Sequence, residues 1–496
     1  MLFSSLYFLI AFLPLTLIAV FTANKLYGRR PAMVLLLVAS FIFYSWNTPV
    51  YLFLILGSII INYTLGLHIL KTRSRNTVAF GIVFNLALLA WFKYIGLFSQ
   101  TLNDIANADI SIEGVVLPLA ISFFTFQQIA YLVDCLKGAT KRYGFLEYAL
   151  FVAFFPQLIA GPIVHHQNVV PQFYSTRFLK FRHEDIVAGL LLLSIGLAKK
   201  TLIADGLAPL SDGAFDAAHA GHTISFAAAW LGVFAYSFQI YFDFSGYTDM
   251  ALGLAYLFGI KLPKNFNSPY KATNIVEFWR RWHITLSTFL RDYLYIPLGG
   301  NRLGNFNRYR NLFVVMLLGG FWHGAAWTFL VWGGLHGGYL CINHIWRRTF
   351  DDQKIFGGLM STVLTFSAIS IAWVFFRAEN FTAAAQMFSA MSNFTDPFSL
   401  THLEDSKASI LIMLTAGVIT WAMPNALEIL ELFQNHRLSR NSAFKKFDTG
   451  LTKISEAVSL RFDPAVVIMA TLGCLTAFSL FALTISGSYE FIYFQF

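Results

Sequence analysis

The sequence predicts an all-α protein threaded many times through a membrane, with about eleven or twelve crossings plus re-entrant segments. Three observations predict it. Hydrophobic residues make up 57% of the 496, charged residues only 12%, and mean hydropathy is +0.60. Apolar windows of roughly 20 residues, the length that spans a hydrocarbon core about 30 Å thick, recur from the first residues to the last. The basic residues fall in short clusters between these windows rather than along one polar face. The net charge of +9 therefore reads as a topology signal, and no nucleic-acid partner is expected.

The first crossing, 2–21, lacks a basic leader and a small-residue cleavage site, so it reads as a retained helix rather than a signal peptide. Further crossings are expected at 32–46, 50–68, 77–98, 115–134, 186–204, 224–242, 311–330, 331–346, 357–376, 408–423 and 464–486. Lys25, Arg29 and Arg30 follow the first window, Lys71, Arg73 and Arg75 the third, and Lys137, Lys141 and Arg142 the fifth. By the positive-inside rule these connections are cytoplasmic. The stretches Trp46 to Val50 and the one with Asp104, Asp109 and Glu113 have no Lys or Arg and face outward, which puts the N-terminus outside. No internal repeat of the kind that builds many carriers is visible. Nor is any polar stretch long enough for a soluble domain, so residues 1–496 form one integral-membrane unit, with a core of about 1–380 and more variable C-terminal crossings.

Two regions interrupt the pattern. Residues 148–183 contain Gly161-Pro162, His165-His166 and a basic tail of Arg177, Lys180 and Arg182. Residues 243–310 mix apolar pieces with Pro263, Pro269, Pro297, Gly299, Gly300 and many charges. Irregular backbone at membrane depth survives only where protein or water satisfies its amides and carbonyls, so both regions are expected to line a cavity. Residues 377–407 are expected outside. Residues 425–463, with His436, Arg437, Arg440, Lys445, Lys446 and Lys453, form an inward amphipathic surface segment. Cys135, Cys341 and Cys474 are widely spaced and suggest neither a disulfide framework nor a zinc site. His165, His166, His219 and His222 read as solvated or interfacial.

Ionisable residues, costly in lipid, crowd between Asp243 and His336. Asp243 and Tyr247 are four apart and share a face if helical; one reading is a shared carboxylate–phenol network, the other a helix cap at Asp243 with close helix approach at Gly246. Glu277 is spaced to pair with Arg281, and Arg280 lies near His283, which suits either an ion-pair collar or a cationic cradle. Arg291 and Asp292 follow, and together the cations here also fit the phosphates of an anionic donor such as a coenzyme. His323 sits between apolar stretches in Gly319-Gly320-Phe321-Trp322-His323-Gly324, where aromatic walls keep an imidazole neutral and able to accept a hydroxyl proton. His336, in Gly333-Gly334-Leu335-His336-Gly337-Gly338, is similar, although helix packing by small residues also explains its glycines. No pair among His283, His323 and His336 has metal-ligand spacing, and no metal is expected.

These motifs, together with the Met1 to Ser5 opening and Phe155 to Pro162, resemble the membrane-bound O-acyltransferase family over roughly residues 1–380, in particular its branch acting on alginate and lipoteichoic acid. The resemblance implies a ring of helices around a central funnel, with His323 as essential residue and His283 as the second position. Asp243, Tyr247, Glu277, Arg280, Arg281, Arg291, Asp292 and His336 are then expected to support the site or bind the donor. It further implies a cytoplasmic thioester donor such as acetyl-CoA, no resident cofactor, and a periplasmic acetyltransferase or acetyl-relay partner in a bacterial inner membrane. It implies O-acetylation of an exported polysaccharide such as alginate. Read from the residues alone, a channel or exporter for an acyl donor or lipid, or a scaffold of a secretion complex, stays open.

Overall fold

The computed structural model describes residues 1–106, 116–159, 161–302, 304–350, 357–395, 397–400, 403, 407–441, 464–486 and 491–492. Among them there are helices and connections but no β-strand. Asp109, Glu113, Ala160, Lys445, Lys446 and Lys453 lie outside the described residues, as do the side chains of His436, Arg437 and Arg440.

A helix stands at every expected crossing, but they fall into two kinds. Five are long and apolar enough to cross a membrane by length and composition: Tyr7–Tyr27, Tyr51–Thr72, Arg75–Ala106, His183–His219 and Gly358–Arg377. A sixth is added if Lys407–Ala422 and Ala426–Gln434, bent by 53° at their junction, count as one. The others are shorter, such as the 17-residue Ile121–Lys137, or more polar because protein surrounds them. Phe226–Leu257 is the clearest case: 32 residues long and buried along most of its length, it meets side chains rather than lipid on nearly every face. It also corrects one expectation, since the helix is continuous through Asp243 and Asp249 and the irregular backbone begins only after Leu257.

Two glycine-lined contacts set the interior. His183–His219 packs on Phe226–Leu257 so closely that a Cβ on Gly253 would stand 2.6 Å from the Gly189 carbonyl oxygen, and one on Gly246 2.8 Å from that of Gly196. Small residues let the backbones meet, as is usual where helices pack in lipid. Just beyond this contact, in the π-helical turn Lys199–Ala204, Lys199 pairs with Asp249 at 2.6 Å, and Lys200 with Asp243 and Asp205, each at 2.7 Å. The second contact joins Gly304–His323 to Trp327–Thr349 as a hairpin, in which a Cβ on Gly320 would lie 2.9 Å from the Gly333 Cα. Gly320, Gly333 and Gly337 thus serve backbone approach, whereas Gly319, Gly324 and Gly334 face side chains.

The stretch 148–183 is irregular and buried as expected. Two short helices, Phe145–Ala153 and Phe155–Leu158, lead into extended backbone whose Ile163 N–H bonds the Thr285 hydroxyl at 2.9 Å. The two interrupted regions therefore meet. His166 is not interfacial: it is fully buried, its Nε2 3.0 Å from Asp134 and its Nδ1 2.9 Å from the Tyr143 hydroxyl. His219 is exposed and pairs with Glu379 at 3.3 Å.

Candidate active site

His323 is the last residue of Gly304–His323, and the chain breaks helix over 324–326 before Trp327. Only 3% of it is exposed. Its ring is walled by Trp322 and Trp332, both with centroids at 5.0 Å, and by Phe376 at 5.3 Å. The His283 ring lies 6.5 Å away, centroid to centroid. The two residues that the sequence singles out most sharply therefore share one buried, aromatic-walled centre.

His283 is fixed by a residue that sequence reading does not find. It is fully buried and precedes the helix Ile284–Leu290 with φ at +40°, a left-handed conformation that strains a non-glycine residue and persists only where its surroundings impose it. Asn265 supplies the constraint. Its Oδ1 accepts from the Thr285 N–H at 3.2 Å, the Thr285 hydroxyl at 2.8 Å and His283 Nδ1 at 3.1 Å. Because the backbone N–H can only donate, the oxygen assignment of Asn265 is secure, and Nδ1 of His283 must carry the proton. The lone pair then sits on Nε2, where a base needs it. Asn265→Ala is expected to lower a catalytic rate that depends on the His283 imidazole on the order of 100-fold without unfolding the protein, the usual cost of a misplaced catalytic group, measured as the initial rate in detergent.

His336 lies on the next helix and reaches the same centre through Trp332, whose ring is 4.7 Å from it. Phe278 stacks on it and Trp279 meets it edge-on at 5.2 Å. Among the described residues neither ring nitrogen has a hydrogen-bond partner, nor does Nε1 of Trp279 or Trp332.

The charged candidates divide. Glu277 and Arg281 pair at 2.7 Å as their spacing predicts, and Glu277 also accepts from the N–H and hydroxyl of Thr273, so this pair staples a short helix rather than facing a substrate. Asp243 is turned away from the histidines: it neither caps a helix nor bonds Tyr247, but pairs with Lys200 and accepts from the Ile492 N–H at 2.9 Å. Tyr247 stacks on Phe3 at 4.6 Å, and its hydroxyl has no partner among the described residues. Arg280 and Arg291, by contrast, line one cavity of about 500 Å³ together with Ser287, Asn301, Arg308 and His344. Arg291 is held by its neighbour Asp292 at 2.7 Å, and Trp279 stands between this cavity and His336.

A second, narrow cavity of about 70 Å³ reaches His323. Its walls are Lys93, residues 117–123, Ile159, Trp322 and His323. Lys93 and Tyr94, in a π-helical turn of the Arg75–Ala106 helix, grip the end of the histidine-bearing helix: Lys93 Nζ donates to the Trp322 and His323 carbonyls at 2.7 and 2.9 Å, and the Tyr94 hydroxyl to that of Phe321 at 2.8 Å. Helix Ile121–Lys137 orients the two cavities. Its first residues line the second cavity, while Lys137 at its far end lies over the Tyr293 ring at 5.2 Å, beside Arg291 of the first. Among the described residues no group of three His, Cys, Asp or Glu side chains could hold a metal.

A polytopic helical protein with paired imidazoles in a buried centre, open to one cavity and separated from a second by Trp279, is built as a membrane-embedded group-transfer enzyme. The model of the MBOAT, membrane-bound O-acyltransferase, family matches residues 82–378, and the chain belongs to that family. It is 44% identical over 448 residues to the peptidoglycan O-acetyltransferase of Helicobacter pylori, covering 83% of each chain. It is 37% identical over 522 residues to a probable alginate O-acetylase of Azotobacter vinelandii, covering 100% of both. The teichoic acid D-alanyltransferase of Streptococcus thermophilus is 27% identical over 285 residues, 52% of this chain and 68% of that one. The protein is a multi-pass membrane acyltransferase.

Proposed function

We propose that the chain takes an acyl group, acetyl in the first instance, from a cytoplasmic coenzyme A thioester and passes it across a bacterial inner membrane for O-acetylation of an exported polysaccharide. The observation that carries this reading is the buried His283–His323 pair, reached by the cavity at residues 117–123, with the arginine-lined cavity ending behind Trp279 beside His336, toward the other end of Ile121–Lys137. Lys137, Lys141 and Arg142 mark the arginine-lined end as cytoplasmic, and the end at residues 117–123 as outer. Arg280, Arg291 and Arg308 then face the phosphates of the donor, which planar guanidinium groups suit. Alginate and peptidoglycan, the polymers in the names of two relatives, are the acceptors to test first. A periplasmic acetyltransferase or acetyl-relay protein is the partner proposed to carry the group onward, and no resident cofactor is needed.

The chemistry is balanced by the thioester itself. As the acceptor oxygen bonds to the acyl carbon, its proton passes to His323; the carbon–sulfur bond breaks, and the departing thiolate recovers the proton. General-base assistance of this kind contributes roughly 10²- to 10⁴-fold. The test compares two donors in the purified protein. The double substitution Arg291→Ala and Arg308→Ala is expected to raise KM for acetyl-CoA by at least about 10-fold, the loss of one charge-assisted contact or more. The KM for acetyl-pantetheine, which lacks the nucleotide phosphates, should stay unchanged. Equal effects on both donors would remove the phosphate-binding role, and absence of transfer from either donor would overturn the function.

A further inference from the structure

We propose that Lys93 is a catalytic residue of this acyltransferase, its ammonium holding the negative charge that develops on the acyl oxygen during transfer; this rests on the function proposed above. A lone lysine in the middle of an apolar crossing is costly unless it faces protein or a cavity, and Lys93 faces both. The π-helical turn Ala90–Tyr94 brings Lys93 and its neighbour Tyr94 together onto the end of the helix that carries His323, and such widened turns recur at functional sites. An ammonium has three N–H groups. Two of Lys93's go to the Trp322 and His323 carbonyls, the ammonium also stands over the Trp322 ring at 5.8 Å, and the side chain lines the same cavity as His323.

The rest of that cavity has the same sign. Among the described residues no acidic side chain lines it, its other polar side chains are Ser122, Trp322 and His323, and the buried Trp322 Nε1–H has no acceptor. The positive end of the Ile121–Lys137 helix dipole opens onto it through residues 120–123. A wall of donors and one fixed cation suits a group that becomes negative, and the tetrahedral intermediate of thioester acyl transfer is such a group. The electron pair of the carbonyl double bond moves onto that oxygen as the acceptor bonds, and returns as the carbon–sulfur bond breaks. Lys93 already bonded to two backbone carbonyls needs little reorganisation at that moment, the condition under which electrostatic stabilisation is most effective.

The experiment uses the purified full-length protein with acetyl-CoA and two acceptors, a polysaccharide hydroxyl and hydroxylamine. Hydroxylamine attacks a thioester without a base, so its reaction bypasses His323 but still forms the oxyanion. Lys93→Met is expected to lower kcat about 10²- to 10³-fold with both acceptors, the usual cost of one oxyanion donor, while KM for acetyl-CoA stays within about threefold. Lys93→Arg, which keeps a cation, should retain more activity than Lys93→Met. A fall with the polysaccharide but not with hydroxylamine would show that Lys93 only positions His323, and would overturn the proposal; so would an unchanged kcat. If Lys93→Met does not yield monodisperse protein, Lys93→Gln carries the same comparison, since its amide can still donate to a carbonyl without the charge. A wild-type protein that transfers nothing from acetyl-CoA refutes the proposed function instead.

Discussion

His323→Ala is expected to abolish measurable transfer to a hydroxyl acceptor, a loss of about 10²- to 10⁴-fold, with the protein still folded and still binding acetyl-CoA. The ring is buried but packs against aromatic faces on only part of its surface, and the helix end that carries it is held by backbone carbonyls, not by the imidazole. Removal of the side chain therefore leaves the grip of Lys93 and Tyr94 intact. The rate of hydroxylamine acetylation should fall much less than the rate to a polysaccharide, because that acceptor needs no base. A variant that acetylates a polysaccharide at the normal rate would mean that the histidine merely lines a path, as in a channel or exporter.

Lys200→Met is expected to cost about 3–5 kcal/mol of stability, the range for removing one partner of a buried ion pair. Lys200 and Asp243 are 3% and 1% exposed, and the substitution leaves two carboxylates, Asp243 and Asp205, facing a methionine at the crossing of two long helices. The measurement is the thermal midpoint in detergent together with the yield of monodisperse protein. Adding Asp243→Asn and Asp205→Asn should recover most of the loss, because the uncompensated charge, rather than the missing attraction, is the larger cost. Failure of the triple variant to recover would mean that the loss comes from the missing attraction and packing of Lys200 rather than from uncompensated carboxylates.

The fold was legible where apolar length alone decides, as in Tyr51–Thr72 and Gly358–Arg377, because hydrophobic windows of crossing length have few other uses. It was less legible in Phe226–Leu257, where two aspartates looked like an interruption; their counter-ions, Lys199 and Lys200, come from a different helix and cannot be seen as partners in one dimension. The site follows the same rule. His323 stood out because an imidazole amid apolar sequence is conspicuous, His283 through the family resemblance, and Glu277 with Arg281 because four-residue spacing is a local signal. Asn265 gave no such signal: a polar residue in a proline-containing connection reads as loop, and only the folded chain brings it under His283. Lys93 did carry one, a single cation inside an apolar window between Trp91-Phe92 and Tyr94, which a reading centred on residues 243–336 passes over.

The two cavities draw on almost separate stretches of chain. The arginine-lined one is assembled from residues between 276 and 344, and the outer one chiefly from Lys93 and 117–123, with only the histidine-bearing helix common to both. Under the proposed function, mutations that reshape recognition on one face leave the other face's ligand untouched. The gene can thus drift toward a new acceptor while its use of an abundant metabolic thioester stays constant, and directed evolution of acceptor choice can be confined to a short window near the start of Ile121–Lys137.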